Sequence, residues 1–136
     1  MDTEQQRLVA AINEFEWTHW GTLTTRWALP PEQVQARYEN WICRLNGSNG
    51  RKVNHIFVVE HSPSGRAHVH FQLGNVSIPT EKMKALWITS GGTGVNQIES
   101  YDASKGSAYT LKDWLTSEYH GADFKGLAPT TKGPQL

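Results

Sequence analysis

The sequence predicts an α+β fold: an antiparallel sheet of about four to five strands with a βαββαβ core and flanking helices. Three observations carry this. Strand-like segments recur at 17–25, 53–60, 67–73 and 95–100. Helical segments lie between them, one opened by Pro30-Pro31 and one following Pro79. The 53–60 and 67–73 segments are separated by Ser62-Pro63-Ser64-Gly65, so they read as a hairpin. With 136 residues the chain supports one core and not two.

The elements follow in order. Residues 1–16 read as an amphipathic helix, because Leu8, Ile12 and Phe15 fall at i, i+4 and i+7. In the strand 17–25, Trp20, Thr22 and Thr24 share one face, and Gly21, Leu23 and Thr25 the other. The helix after Pro30-Pro31 has the apolar stripe Val34, Tyr38, Trp41, Ile42 and Leu45, and Asn46-Gly47 is expected to end it. Gly47 to Gly50 then reads as a flexible turn. After the hairpin come a short helix at about 80–88, a loop at Gly91-Gly92-Thr93-Gly94, and a short strand from Val95 to Ser100. That glycine loop has neither the lysine nor the spacing of a phosphate loop. Asp102 or Ser104 is placed to cap a last helix reaching about Ser117. The expected division is one domain over 1–120 and a flexible tail over 121–136, rich in Gly, Pro and Thr.

Composition narrows the function classes. Thirteen basic and thirteen acidic residues cancel, so a generic electrostatic nucleic-acid binder is disfavoured. Binding to nucleic acid would need a local patch, a metal or stacking, and six tryptophans supply rings for the last. One cysteine, Cys43, excludes an intrachain disulfide and a cysteine-rich zinc site. No apolar run approaches the roughly 20 residues of a membrane helix, and Met1-Asp2-Thr3-Glu4 is not a secretory leader. The expectation is a cytoplasmic protein with no membrane partner.

Chemistry concentrates in two places. In Ala67-His68-Val69-His70-Phe71-Gln72-Leu73, alternation puts His68, His70 and Gln72 on one face and Val69, Phe71 and Leu73 on the other. A hairpin register pairing Glu60 with His68 sets Val58 opposite His70, Val59 opposite Val69 and Phe57 opposite Phe71. One register therefore satisfies both the apolar pattern and a ligand pattern of two imidazoles and a carboxylate. Such a set leaves coordination positions open and favours Mg²⁺ or Mn²⁺ over a closed zinc site. The second place is Ser107-Ala108-Tyr109-Thr110-Leu111-Lys112-Asp113. On a helix, Tyr109 and Lys112 share a face with Lys105, while Ala108, Leu111 and Leu115 form the docking face. From the residues alone, Tyr109 is either an ordinary half-buried tyrosine or a nucleophile whose phenolate a lysine and a dication favour.

Taken together, these residues resemble the HUH endonucleases, which include rolling-circle replication initiators. Trp20-Gly-Thr-Leu-Thr-Thr25 is similar to the first motif of bacterial initiators. Glu60-His-Ser-Pro-Ser-Gly-Arg-Ala-His68-Val-His70 is similar to the second, and Ala108-Tyr109-Thr-Leu-Lys112 to the third. The motifs stand in the family's order and the resemblance spans about residues 18–116.

The resemblance implies that His68 and His70 ligate a divalent metal, Mg²⁺ or Mn²⁺, with Glu60 as third ligand. It implies that Tyr109 is the nucleophile and that Lys112 positions or stabilises charge at the scissile phosphate. The implied reaction is nicking of single-stranded DNA at an origin hairpin, leaving a 5′-phosphotyrosine and a 3′ hydroxyl for rolling-circle replication. Lys105, Arg66, Trp20, Thr22 and Thr24 are the candidate DNA contacts. Family initiators often continue into a helicase, so a host or fused helicase is an expected partner, and the chain reads as an excised domain or a compact protein. The alternatives are a single-tyrosine transposase of the same superfamily and a non-catalytic module that binds single strands by stacking.

Overall fold

The computed structural model describes residues 3–61, 66–93 and 96–130. Its elements are α1 (Glu4–Ile12), β1 (His19–Thr24), α2 (Pro31–Asn49), β2 (Asn54–His61), β3 (Ala67–Gly74), α3 (Thr80–Thr89), β4 (Gln97–Ser100) and β5 (His120–Asp123). The five strands form one sheet in the order β4-β1-β3-β2-β5, and every neighbouring pair is antiparallel. The α+β expectation holds. The order of β1 to β4 is that of a ferredoxin-like βαββαβ core, with β5 added on the β2 edge.

The hairpin has the expected register: Glu60 faces His68, Val58 faces His70, Val59 faces Val69 and Phe57 faces Phe71. One face of the sheet carries Leu23, Phe57, Val59, Val69, Phe71, Leu73 and Ile98 and packs against α2 and α3. Tyr38, Trp41 and Trp87 are fully buried there. Their polar atoms are each satisfied, as burial of such rings requires. The Tyr38 hydroxyl bonds His55 Nδ1 at 2.9 Å, Trp41 Nε1 donates to the Met83 carbonyl at 2.9 Å, and Trp87 Nε1 donates to the Thr24 carbonyl at 3.0 Å. The opposite face is covered only in part. Ile56 and Val58 pack there with Ile12, Trp17, Leu111 and Leu127, and the rest of that face is left for the site.

Several boundaries differ from the sequence expectations. The first helix stops at Ile12 rather than 16, and Asn13 turns its side chain to accept from Ser107 N at 2.7 Å. A tertiary bond thus ends a helix that periodicity alone would extend. The second helix runs through Gly47 to Asn49. Asn46 accepts from Val53 N at 2.8 Å instead of closing the helix, and Gly50, at φ 76°, is the left-handed cap. The expected helix from Asp102 or Ser104 to Ser117 is instead a run of successive turns. Asp102 does accept from Ser104 N at 3.0 Å, but Gly106 at φ 69° interrupts any continuous helix. Of the expected docking face only Leu111 is buried. Ala108 and Leu115 are exposed, and Ser107 and Thr110 are buried in their place.

The tail expectation is overturned for residues 121–130. The edge of β2 has unpaired backbone groups that need a partner, and β5 provides it, pairing His55 with Asp123 and Val58 with His120. Asp123 also holds Lys52 at 2.6 Å, and Leu127 is buried against Gly74. The domain therefore extends through the described C-terminal residues, and 131–136 lie outside them. The expected turn Ser62–Gly65, the end of the glycine loop at Gly94 and the start of the fourth strand at Val95 also lie outside them. Among the described residues, no helix is long and apolar enough to cross a membrane.

The Tyr38–His55 pair makes stability depend on pH. Burial is the largest influence on His55 and pushes it from its ordinary 6.5 down to about 4. The folded state thus resists a proton that the unfolded chain accepts. This stability is fully present above about pH 6.5 and is lost as the pH falls towards 4. We expect the wild type to lose on the order of 2–3 kcal/mol more than His55→Gln between pH 7 and 4.5. Urea unfolding midpoints at both pH values measure the difference. Parallel losses in the two proteins would contradict it.

Candidate active site

The register of β1, β3 and β2 lays out the site as rows on the half-covered face. One row runs Gln97, Thr22, His70, Val58 across β4, β1, β3 and β2, and the next holds Thr24, His68 and Glu60. Directly facing residues of an antiparallel pair project to the same side. Each histidine therefore has a threonine beside it on β1, and His68 has Glu60 beside it on β2.

His70 is the buried centre of this layout, 4% exposed. Its Nε2 lies 3.1 Å from Glu60 Oε2, and its Nδ1 lies 3.1 Å from the Thr22 hydroxyl. An ionised carboxylate only accepts, so Nε2 donates to Glu60, and the neutral ring accepts from Thr22 at Nδ1. Burial is the main influence on His70 and holds it below the usual imidazole range, against the pull of Glu60. Lys112 Nζ reaches the same Glu60 oxygen at 3.2 Å. That hydrogen bond raises Lys112, so it stays protonated. Proximity to Glu60 raises the Asp113 carboxyl, and although burial pushes Glu60 up, Asp113, Lys112 and His70 together bring it below its ordinary value.

Tyr109 stands over this cluster. Its ring meets His70 edge-on, with centroids 5.0 Å apart, and Lys112 Nζ lies 4.8 Å from its centroid. It is 59% exposed, so a large substrate reaches its hydroxyl. Contacts from elsewhere in the chain place this segment. Asn13 Oδ1 accepts from Ser107 N, Gln5 Nε2 donates to the Leu111 carbonyl at 2.6 Å, and Ser117 Oγ donates to the Val59 carbonyl at 2.8 Å. The left-handed Gly106 lies against the Asn13 side chain, where a β-carbon would come within 3.0 Å of its amide.

Two of the cavities beside Tyr109 and Lys112 border the site. One, of about 620 Å³, includes Glu60, His61, Lys112, Asp113 and Tyr119 in its walls. The other, of about 300 Å³, lies between β1, β4 and the tyrosine turn and includes Trp20, Thr22, Lys105 and Tyr109.

Of the sequence-predicted residues, Glu60, His70, Tyr109 and Lys112 come together directly. His68 lies beside Glu60 in the ladder, and its buried Nδ1 has no hydrogen-bond partner among the described residues. Trp20, Thr22 and Lys105 line the smaller cavity, which puts Lys105 on the far side of Tyr109 from Glu60. Thr24 bonds Thr93 at 3.0 Å, and Arg66 donates to the Thr25 carbonyl at 3.1 Å, so both lie at the other end of β1. Trp27 is the tryptophan with a large exposed surface. Asp113 was missed; its position next to Lys112 in the sequence is the signal that could have found it. Gln97 and Glu99 were missed too, although alternation along β4 would have placed them beside Thr22 and Trp20.

Two imidazoles and one carboxylate are a mixed nitrogen and oxygen donor set that a divalent cation accepts, and the unpartnered His68 nitrogen is the kind of buried group a ligand would satisfy. As the side chains stand, no three His, Cys, Asp or Glu groups among the described residues are arranged to hold a metal. The Glu60 carboxylate is engaged by His70 and Lys112. Comparison with known proteins finds no matching family model, no matching curated protein and no matching solved structure.

The cluster makes a prediction about His70 itself. Glu60 raises its pKa and Lys112 lowers it. Glu60→Gln should therefore shift the His70 titration downward and Lys112→Met should shift it upward, without added metal. NMR titration of the ring protons follows both, and shifts of the same sign would refute the network.

Proposed function

We propose that the chain is a metal-dependent single-stranded DNA endonuclease and strand-transferase that nicks at a replication origin, with Tyr109 as nucleophile. One observation carries this reading. An exposed tyrosine stands against a buried histidine and beneath a lysine, and both hydrogen-bond one glutamate. Three separate segments contribute these groups, and the order of the motifs agrees with the HUH resemblance.

In this reading Tyr109 Oη attacks the scissile phosphorus and loses its proton, the bond from phosphorus to the 3′ oxygen breaks, and that oxygen takes up a proton. The 5′ phosphate stays on the tyrosine. One phosphodiester replaces another, so the strand can be rejoined by reversal. Lys112 is held protonated by Glu60 and therefore acts as fixed positive charge beside the phenolate and the phosphate, not as a base. Thr22 fixes the orientation of His70 through Nδ1. His68, His70 and Glu60 would hold Mg²⁺ or Mn²⁺, which when bound supplies Lewis-acid polarisation of the phosphate. Because Nε2 of His70 donates to Glu60, loading the site at Nε2 would move the ring proton to Nδ1, where the Thr22 hydroxyl oxygen can accept it.

The partner implied is single-stranded DNA or an origin hairpin, in a compartment that holds replicon DNA, the cytoplasm. A helicase, from the host or fused, would open the duplex. The nicking reading takes precedence over a stacking module, which has no need of Glu60, His70, Tyr109 and Lys112 in one cluster.

The test is covalent capture. Incubated with random single-stranded DNA and Mn²⁺, the wild type should form a protein–DNA adduct that survives denaturing gels. Tyr109→Phe should lose it entirely while still folding and binding DNA. An adduct peptide mapped to Tyr38, Tyr101 or Tyr119 would reject the assignment.

Metal dependence is checked separately. His68→Ala and His70→Ala should abolish Mn²⁺ binding in calorimetry, and Glu60→Ala should weaken it by at least the roughly 10- to 100-fold that loss of a group merely supporting a ligand costs. Unchanged titrations in all three variants would eliminate the site.

A further inference from the structure

We propose that the cavity between β1, β4 and the tyrosine turn receives one unpaired nucleobase bearing an exocyclic amino group, and that Gln97 and Glu99 read its edge. The inference rests on the reading of Tyr109 as the residue that meets the strand. It assigns a role to two residues for which nicking chemistry has no use.

The register places them. Gln97 faces Thr22 and Glu99 faces Trp20, so both side chains stand on the same face of the sheet as His70, two strands away with β1 between. Ile98 between them points into the core. Both are exposed, and neither side chain has a hydrogen-bond or ion-pair partner among the described residues. The cavity they line holds about 300 Å³, the lower end of the range for small-ligand pockets. Trp20 forms an aromatic wall, its own ring braced edge-on by Tyr101 at 5.4 Å. Tyr109 and Lys105 form the opposite side.

A ring wall with polar edge-readers and a nearby ammonium matches the chemistry of a nucleotide in a single strand: stacking for the base and a cation for the backbone. The edge-readers define which base. A carboxylate only accepts, so Glu99 favours an amino group such as cytosine N4, and Gln97 adds both a donor and an acceptor, as in bidentate contacts to adenine. Thymine offers carbonyl lone pairs at the corresponding position, which a carboxylate repels. The cavity shares Tyr109 with the site, so the base read lies close to the nicked phosphate.

Binding and nicking are measured together on the full chain. Fluorescence anisotropy with oligo-dC, oligo-dA and oligo-dT should show the wild type preferring dC and dA over dT by about tenfold. Glu99→Gln should bring the ratio to within about twofold, even if loss of a negative charge strengthens binding to all three. Gln97→Ala should reduce the dA preference most. The same proteins, given random single strands and Mn²⁺, should show an amino-base preference at one position next to the captured end, flattened by Glu99→Gln. Equal affinities in the wild type, or a ratio unchanged in both variants, would overturn the pocket. Discrimination lost only in the variants, without any covalent capture, would overturn the nuclease reading and leave the pocket standing.

Discussion

The pairing of β2 with β3 is the constraint on which the rest of the structure depends. Side chains alternate with a period of two, so a slip by one residue would turn over the faces of the strand that slips. Phe57 and Val59 would leave the core and Glu60 enter it if β2 slipped, and Val69 and Phe71 would give way to His68 and His70 if β3 did. The energy of burying those aromatic and branched side chains, about 1.5–3 kcal/mol each, therefore holds the polar groups in place as well. The site needs no separate device to align Glu60 with the histidines. It is the reverse side of a ladder that the core already specifies.

What stands over that face is held differently. The segment that carries Tyr109 and Lys112 has only scattered turn bonds of its own, such as Leu111 N to the Ser107 carbonyl at 3.1 Å. It is tied down by Gln5 and Asn13 from α1 and its C-terminal edge and by the Val59 carbonyl of β2. Leu111 is its buried apolar anchor. Groups that meet a large substrate are well served by such a segment: the sheet supplies a rigid floor, and the turns let Tyr109 stand exposed above it.

The electrostatics of the site follow from burial on one side and solvent on the other. His70 is buried and kept neutral, Lys112 is exposed and kept charged, and Glu60 joins them. A chain with no net charge thus presents a fixed cation and a neutral imidazole beside one phenol. Charge at this site is a matter of local arrangement, which explains why overall composition says so little about it.

The hairpin, its register, the shared face of Glu60, His68 and His70, and the α2 stripe were legible in the sequence, because alternation and helical period are local properties of burial. The association of Tyr109 with Lys112 was legible as spacing, although the helix expected to produce it is absent. Tertiary structure decided the rest. Asn13 and Gly106 turn the expected helix into successive turns, the open edge of β2 recruits β5 from a stretch that composition marks as tail, and the strand order brings Gln97 and Glu99 beside Tyr109. Each of these depends on a contact between residues far apart in the chain. Local pattern records which face a residue prefers, and only the closed fold determines what it meets there.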